Sequence, residues 1–325
     1  MPQHRDCWIV DIGGRLAGLL IRKDEAPSEA QTVNPGQRIL KICTFKISPE
    51  FRGEKLGEHL LKKVLWFAQA NHYDVVYVTA FPKHDFLIVL LQTFGFKATR
   101  TLANGELMLE RLSHHETEIT LPPATEPLSH DLQIYPRYYD GPSVGKFVVP
   151  IQWQYHIALF PEIAEASPLP LFPDERFVVE ANVSADRTPG NTIRKVYVCR
   201  AQTRQLKPGA VLLFYLSKCE MNRSQHATSV GVVEKTQLAA SLMDLMRAVG
   251  RRSVYSQQDL AAMAPREASP VLVIDFLLIG HFEPAVPLAR LISSHVLSSR
   301  PPQSIASVDE AAYLRLKPTL KISYA

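Results

Sequence analysis

From Cys7 to Lys23 two apolar-rich runs flank Gly13-Gly14, a pair that tolerates the positive backbone angles of a hairpin turn, so two strands are predicted there. Residues 25–38 are rich in Pro, Ser, Asn, Gln and Gly and read as a loop. Ile39 to Ile47 follows with apolar side chains of both parities, the mark of a central strand covered on both faces. Between Lys55 and Ala70 the spacing of Leu56, Leu60, Leu61, Val64, Leu65 and Ala68 predicts a helix with Glu58, Lys62 and Lys63 turned outward. A β-rich run from Asp74 to Ala80, a helical run from Asp85 to Phe94 closed by Gly95, and two strands between Lys97 and Leu112 complete a strand–helix–strand–helix–strand order. That order predicts an α/β domain with a partly parallel sheet.

The pattern dissolves between Ser113 and Pro127 into His114-His115, Glu116, Glu118 and Pro122-Pro123, a linker composition. Beyond it, Val144 to Pro150, Ile193 to Arg200, Val211 to Ser217, Ser229 to Glu234 and Val271 to Ile279 read as strands, and Leu238 to Val249 and Ser256 to Met263 as helices. Strands interrupted by one helical insertion predict an α+β second half closed into a compact barrel. The expected organisation is a first domain over residues 1–112, a linker and bridging segment over 113–190, and a second domain over 191–325. Lys146 to Pro161 concentrates Phe147, Trp153, Tyr155 and Phe160 around His156, and is expected to pack the two halves together, with His156 a core or interface histidine.

Composition narrows the function classes. With 46% hydrophobic and 21% charged residues the chain is globular, and 36 basic against 32 acidic residues leave only +4, too little for nucleic-acid binding to be the default. Cys7, Cys43, Cys199 and Cys219 lie far apart, without the spacing of a disulfide framework or metal site; no metal is expected, and a reducing cytoplasm is the expected home. The chain opens without an apolar run of signal-peptide length and contains no membrane-spanning stretch, so no membrane partner is expected.

The candidate chemistry lies where the third strand meets the long helix: Ile47-Ser48-Pro49-Glu50-Phe51-Arg52-Gly53-Glu54-Lys55-Leu56-Gly57-Glu58. A glycine-containing turn that opens a helix presents backbone N–H groups and the positive end of the helix dipole, a site suited to phosphate or pyrophosphate. Gly53 and Gly57 would let the backbone approach such an anion and Arg52 would add charge; the alternative is a tight turn carrying solvated charges.

With the elements around it, the block from Ile39 to Phe96 resembles the GNAT superfamily of N-acetyltransferases, and the likeness extends over residues 7–112. In that family the acyl-CoA pyrophosphate rests on an Arg/Gln-x-x-Gly-x-Gly/Ala loop; here Arg52 matches the first position and Gly57 the last, while Lys55 replaces the middle glycine. The resemblance implies acetyl-CoA as cofactor, with Arg52, Gly53, Lys55, Gly57 and Glu58 around the pyrophosphate. The backbone of Cys43, Phe45 and Ile47 would lie along the pantetheine arm. It implies direct attack of an amine on the thioester. Two departures stand out: Leu91 occupies the position of a frequent leaving-group tyrosine, and His84 that of a frequent asparagine. His84 with Asp85 forms either a titratable pair or a helix cap, and Glu54, with Glu50, is a candidate base. Only some 38 residues precede Ile39 here, fewer than the family's acceptor wall needs, so either another domain, a homo-oligomer or a partner subunit is expected to complete the acceptor site, or the fold serves as a cofactor-binding or structural relic.

Asn191 to Ser217 and Ala227 to Glu234 resemble a PUA-like barrel of the EVE or ASCH type, with a Lys-Pro-Gly turn and an aromatic-ended strand. Arg194, Lys195, Arg200, Arg223, Arg251 and Arg252, with Tyr197, Tyr215 and Tyr255, make a set able to neutralise phosphates and stack on bases, so RNA, DNA or a modified base is a candidate partner. Alternatively the tyrosines are core residues and the arginines are scattered. The expected function is acetyl-CoA-dependent N-acyl transfer to an amine recruited by the second domain; the alternative is a non-catalytic nucleic-acid-binding regulator that senses acyl-CoA.

Overall fold

The hydrophobic runs sort into two sheets, each with its own core. The computed structural model describes residues 5–165, 192–201, 203–219, 224–250 and 253–324. The chain divides into two units, Met1–Tyr138 with Tyr324, and Tyr139–Ser323 with Ala325.

In the first unit the elements run β1 (Asp6–Ile12), β2 (Arg15–Glu25), β3 (Ile39–Ile47), α1 (Leu56–Ala70), β4 (Val75–Ala80), α2 (Asp85–Thr93), β5 (Lys97–Thr101), β6 (Leu107–Leu112) and α3 (Pro127–Ile134). The sheet order is β1-β2-β3-β4-β6-β5. β3 and β4 are parallel, as a strand–helix–strand crossover requires, and the other neighbours are antiparallel. α1 is buried on more sides than its amphipathic spacing implies: Glu58 and Lys62, expected outward, are 8% and 3% exposed, and Lys62 lies over the Trp66 ring, while Lys63 is exposed as expected. Gly95 ends α2 with φ +85°, and a Cβ there would stand 2.2 Å from the Gln133 carbonyl oxygen, so only glycine fits. On the sheet face made by Ile39, Val75, Tyr77 and Met108, Ala30 of the 26–38 loop packs down as cover.

The second unit contains β7 (Lys146–Ile151), α4 (Trp153–Leu159), α5 (Pro161–Glu165), β8 (Arg194–Cys199), β9 (Val211–Leu216), β10 (His226–Ala239), α6 (Leu242–Val249), α7 (Gln257–Ala262), β11 (Val271–Pro287), α8 (Leu288–Ser293), β12 (Ala306–Val308), α9 (Glu310–Leu316) and β13 (Ile322–Ser323). Its strands follow the order β12-β7-β9-β10-β11-β13, with β8 also on β11. The register between β10 and β11 shifts at three places, and such bulges bend a sheet. The sheet curls until Tyr197 on β8 donates a hydrogen bond to the Pro150 carbonyl on β7 at 2.7 Å. Among the described residues no β7–β8 ladder closes the curl, so the expected barrel is here an open, rolled sheet.

Two expectations shift. β7 and α4, read as part of a bridging segment, belong to the second unit, where β7 pairs in parallel with β9 along its whole length. Leu238 and Ala239, read as the start of a helix, finish β10; α6 begins only after Ser241, whose side chain accepts from the Asp244 N–H.

Candidate functional site

β3 and β4 pair from Ile39/Val75 to Ile42/Val78 and then part: β3 runs on to Ile47 and β4 to Ala80 without a ladder between them. A bulge marks the parting. Arg22 of β2 faces Ile42 and Ile21 faces Thr44, so Cys43 is an extra residue on β3 and the side-chain alternation flips beyond it. Phe45 and Ile47 thereby join Leu40 and Ile42 on the α1 face; consistent with this, the Phe45 ring lies 3.9 Å from where a Gly57 Cβ would be. Along Cys43, Phe45 and Ile47 the β4 side of the strand is thus a backbone edge that an extended ligand chain can join.

At the end of that edge the chain turns. Ser48 ties the turn to β2, its N–H donating to the Ala17 carbonyl at 2.9 Å and its hydroxyl to the Leu16 carbonyl at 2.6 Å. A 3-10 turn over Pro49–Phe51 leads to exposed Arg52, to Gly53 at φ +91°, and to Lys55 at φ +59°, ψ +18°, immediately before α1. Lys55 holds the left-handed conformation in which glycine is the least strained residue, so the turn keeps its shape without its middle glycine. A Cβ on Gly57 would meet only Leu90 at 3.5 Å and Phe45 at 3.9 Å, ordinary contacts, which leaves the first turn of α1 approachable from outside. The 15-residue α1 brings the positive end of its dipole to this point, fitting an anionic phosphate group. Of the residues assigned to this site, Cys43, Phe45, Ile47, Lys55 and Gly57 are half-buried, Arg52 and Gly53 exposed, and Glu58 buried.

The acid–base candidates fare differently. Glu54 and His84 are both exposed, and His84 takes the N-cap position of α2 without a side-chain cap bond, beside Asp85 in the first turn. Leu91 is fully buried on α2, a core residue rather than a group that meets a substrate. A group absent from the sequence reading lies beside the parting of β3 and β4. Tyr77 of β4 donates its hydroxyl to Glu25, and Lys23 and Lys41 hold their Nζ atoms 3.4 and 3.5 Å from Glu25 Oε1. Burial, then the bond to Glu25, pushes the Tyr77 phenol far above its usual range, so it stays protonated. Burial likewise raises the Cys43 thiol, against the pull of Arg5 and Lys41. Glu25 escapes detection in sequence because it stands at the head of the polar stretch 25–38, which reads as a loop, whereas the structure places it at the end of β2.

Among the described residues of the second unit's basic and aromatic set, Lys195 and the three tyrosines are buried. Lys195 is 1% exposed, donates to the Leu159 carbonyl and sits 3.8 Å from Glu162 Oε1; it does not offer its charge to a phosphate, which corrects its assignment to a nucleic-acid surface. Arg194 pairs with Glu234 at 2.8 Å, and exposed Arg200 donates to the Met263 carbonyl at 2.7 Å. Arg223, Arg251 and Arg252 lie outside the described residues. Tyr197, Tyr215 and Tyr255 are all buried, so none presents a stacking face. The interior instead holds a polar chain: Ser229 Oγ is 2.9 Å from His281 Nδ1, His281 Nε2 is 3.7 Å from Glu162 Oε2, and Glu162 reaches Lys195, against the rings of Phe160, Phe214 and Phe276. His156, expected in a core or interface, is 2% exposed and 2.7 Å from Thr228 Oγ1. Among the described residues no group of three His, Cys, Asp or Glu is placed to hold a metal, and no helix is long and apolar enough to cross a membrane.

No protein-family profile matches the chain. Over 99 residues, 30% of its length, it is 30% identical to N-acetyltransferase family 8 member 2 of Rattus norvegicus, and it spans about two-fifths of that relative. Among solved structures, the ASCH protein of Zymomonas mobilis matches 55% of this chain and 96% of its own at 16% identity and a TM-score of 0.35. The PaiA N-acetyltransferase of Thermoplasma acidophilum, in complex with coenzyme A, matches 33% of this chain and 60% of its own at 13% identity and a TM-score of 0.28. Both likenesses stated from the residues, GNAT for the first unit and ASCH among PUA-like domains for the second, recur among these relatives.

Proposed function

We propose that the chain is an acyl-CoA-dependent N-acyltransferase whose first unit binds the donor, with acetyl-CoA as the expected donor, and whose second unit recruits the amine acceptor. One observation carries this reading: the parallel strands β3 and β4 separate at the Cys43 bulge, and the backbone edge so exposed leads to a left-handed turn at the N-terminus of α1. An extended amide-bearing arm ending in a pyrophosphate fits that arrangement end to end. The arm would pair with Cys43 to Ile47, and the pyrophosphate would rest on Arg52, Gly53, Lys55 and Gly57. In the reaction the acceptor nitrogen bonds to the acyl carbon, the carbon–sulfur bond breaks, the amine loses a proton and the thiolate gains one. Tyr77 and Glu25, beside the parting of β3 and β4, are our candidates for handling those protons, with the exposed His84 and Glu54 as the alternatives.

A regulator that binds acyl-CoA without turnover is the second reading, favoured by the burial of Leu91 where the family often has a tyrosine. Nucleic acid as the acceptor, or as its carrier, would then depend on Arg200 and on residues 223, 251 and 252 rather than on Lys195. Free thiol release from acetyl-CoA, followed across a panel of amines and aminated nucleotides, separates the readings. The enzyme should release CoA only when an acceptor is present, and Tyr77→Phe and Glu25→Gln should each slow it by about 10²-fold or more. Saturable acetyl-CoA binding with no thiol release from any acceptor would leave the sensor reading standing and remove the enzyme.

A further inference from the structure

The side chains around Glu25 bear on which amines the site takes, an inference that rests on the acyl-CoA reading. Leu40 and Ile42 face α1, so Lys41 faces the other way, and beyond the Cys43 bulge exposed Lys46 does the same. Lys23 is the β2 neighbour of Lys41 and Tyr77 its β4 neighbour, next to the last rung before β3 and β4 part. Glu25 joins them on that face: its Oε1 lies 3.4 Å from Lys23 Nζ and 3.5 Å from Lys41 Nζ, and its Oε2 accepts the Tyr77 hydroxyl. The next buried carboxylate, Glu110 across from Tyr77 on β6, is taken up by the 26–38 loop and Thr99. A substrate ammonium would therefore meet two lysines and find no carboxylate that they, a phenol or a loop do not already hold.

Charge at the parting has the same sign. The thiol of Cys43, where the thioester end of a bound arm would lie, feels Arg5, Lys41 and Lys23 against Glu25. Glu29, the other partner of Lys23, is 60% exposed and screened by water. We propose that the acceptor is a weakly basic amine on an anionic molecule: a nitrogen that is uncharged at neutral pH, as an aromatic amine is, joined to a carboxylate or phosphate that Lys41 and Lys46 attract. Such an amine attacks with its own lone pair, so no proton has to be removed before the carbon–nitrogen bond forms, and the proton it sheds afterwards balances the one the thiolate takes up. A protein lysine or a polyamine, which arrives as ammonium, is disfavoured by like charge.

CoA release from acetyl-CoA, followed with a set of acceptors, tests this on the full chain. para-Aminophenylacetate, its amide and para-aminobenzyl-trimethylammonium share one aromatic amine and differ in the charge beyond a methylene group. para-(Aminomethyl)phenylacetate keeps the anion and replaces the aromatic amine by an alkylammonium. The value of kcat/KM should fall by about tenfold or more from the anion to the cation, with the amide between, and the alkylammonium should be the poorer of the two carboxylates. Lys41→Gln and, at an exposed position that folding tolerates, Lys46→Glu should each shrink the anion-to-cation ratio by about threefold or more. Calorimetry with acetyl-CoA on the same proteins keeps the two readings apart, since a folded wild type that binds no acetyl-CoA removes the donor itself. A wild type that binds it but acetylates the cation or the alkylammonium as fast as para-aminophenylacetate, a ratio unchanged in both lysine variants, or thiol release with none of these acceptors would each overturn the acceptor proposal while leaving the donor site.

Discussion

Lys55 shows how a single position carries more information in its backbone than in its side chain. The sequence presents it as a flaw in a glycine motif, yet its φ of +59° is the conformation the glycine would have supplied. Left-handed backbone costs a non-glycine residue about 1 kcal/mol or more, partly offset by the lower unfolded-state entropy of lysine. Lys55→Gly should therefore raise the urea midpoint by an amount worth about 0.5–1 kcal/mol; an unchanged or lower midpoint would deny the strain. His156 is a residue whose setting was readable only in part: its core placement follows from the aromatics around it, its titration does not. Burial first, and the charge of His281 second, hold it at about 3 rather than 6.5. Because the folded value lies below the unfolded one, this stability is complete above pH 6.5 and drains away as pH falls toward 3. The loss reaches about 1.4 kcal/mol per pH unit, and urea midpoints between pH 7 and pH 4.5 should fall less steeply in His156→Gln than in the wild type. Parallel slopes would contradict it.

Elements were legible where one local pattern governed them. The β1–β2 hairpin, α1, β4 and α2 follow from a glycine turn, a β-rich run or helical spacing, and each starts within a residue or so of its expected place. Legibility failed where tertiary packing overrode local pattern. Glu58 and Lys62 are buried because α1 is covered on sides its spacing left polar, and the helix expected from Leu238 starts late because β10 continues pairing with β11 through Ala239. The 26–38 loop was read correctly as a loop, but nothing in it announces its anchor. The Glu110 carboxylate accepts from the Val33 and Asn34 N–H groups at 2.7 and 2.8 Å, from the Asn34 side chain at 2.8 Å and from the Thr99 hydroxyl at 2.7 Å. Burial would raise this carboxyl, yet the hydrogen bonds outweigh it and hold it below its usual range. Its contribution is present above the unfolded carboxylate pKa and lost as pH falls through the lower folded value. Glu110→Gln should cost about 1–3 kcal/mol at pH 7 and make the acid transition shallower, as read from urea midpoints at pH 7 and pH 3. Equal losses for wild type and variant on acidification would rule that out.

For the whole molecule, two units were foreseeable from the change in pattern, but the division lies at Tyr138/Tyr139, beyond the linker composition that suggested it. The strand signal of Lys146 to Ile151 was present and its membership was not, because pairing with β9 spans a long stretch of chain. The second unit's charges were the least readable feature: counted along the sequence they suggest a phosphate-binding face, and folded they place Lys195 in the interior. Lys195→Met should lower the unfolding midpoint while leaving any affinity for single-stranded RNA, and its salt slope, unmoved; a reduced slope would return Lys195 to the surface.

The central claim is that the turn before α1 holds the pyrophosphate of an acyl-CoA. Calorimetric titration with acetyl-CoA tests it most directly, on the wild type beside the double variant Arg52→Ala, Gly57→Glu, whose new carboxylate would occupy the space above the helix terminus. Wild-type binding in the micromolar range, about -8 kcal/mol, that disappears in a folded double variant is the predicted result. Absence of binding in the folded wild type, or equal binding by the double variant, would contradict it.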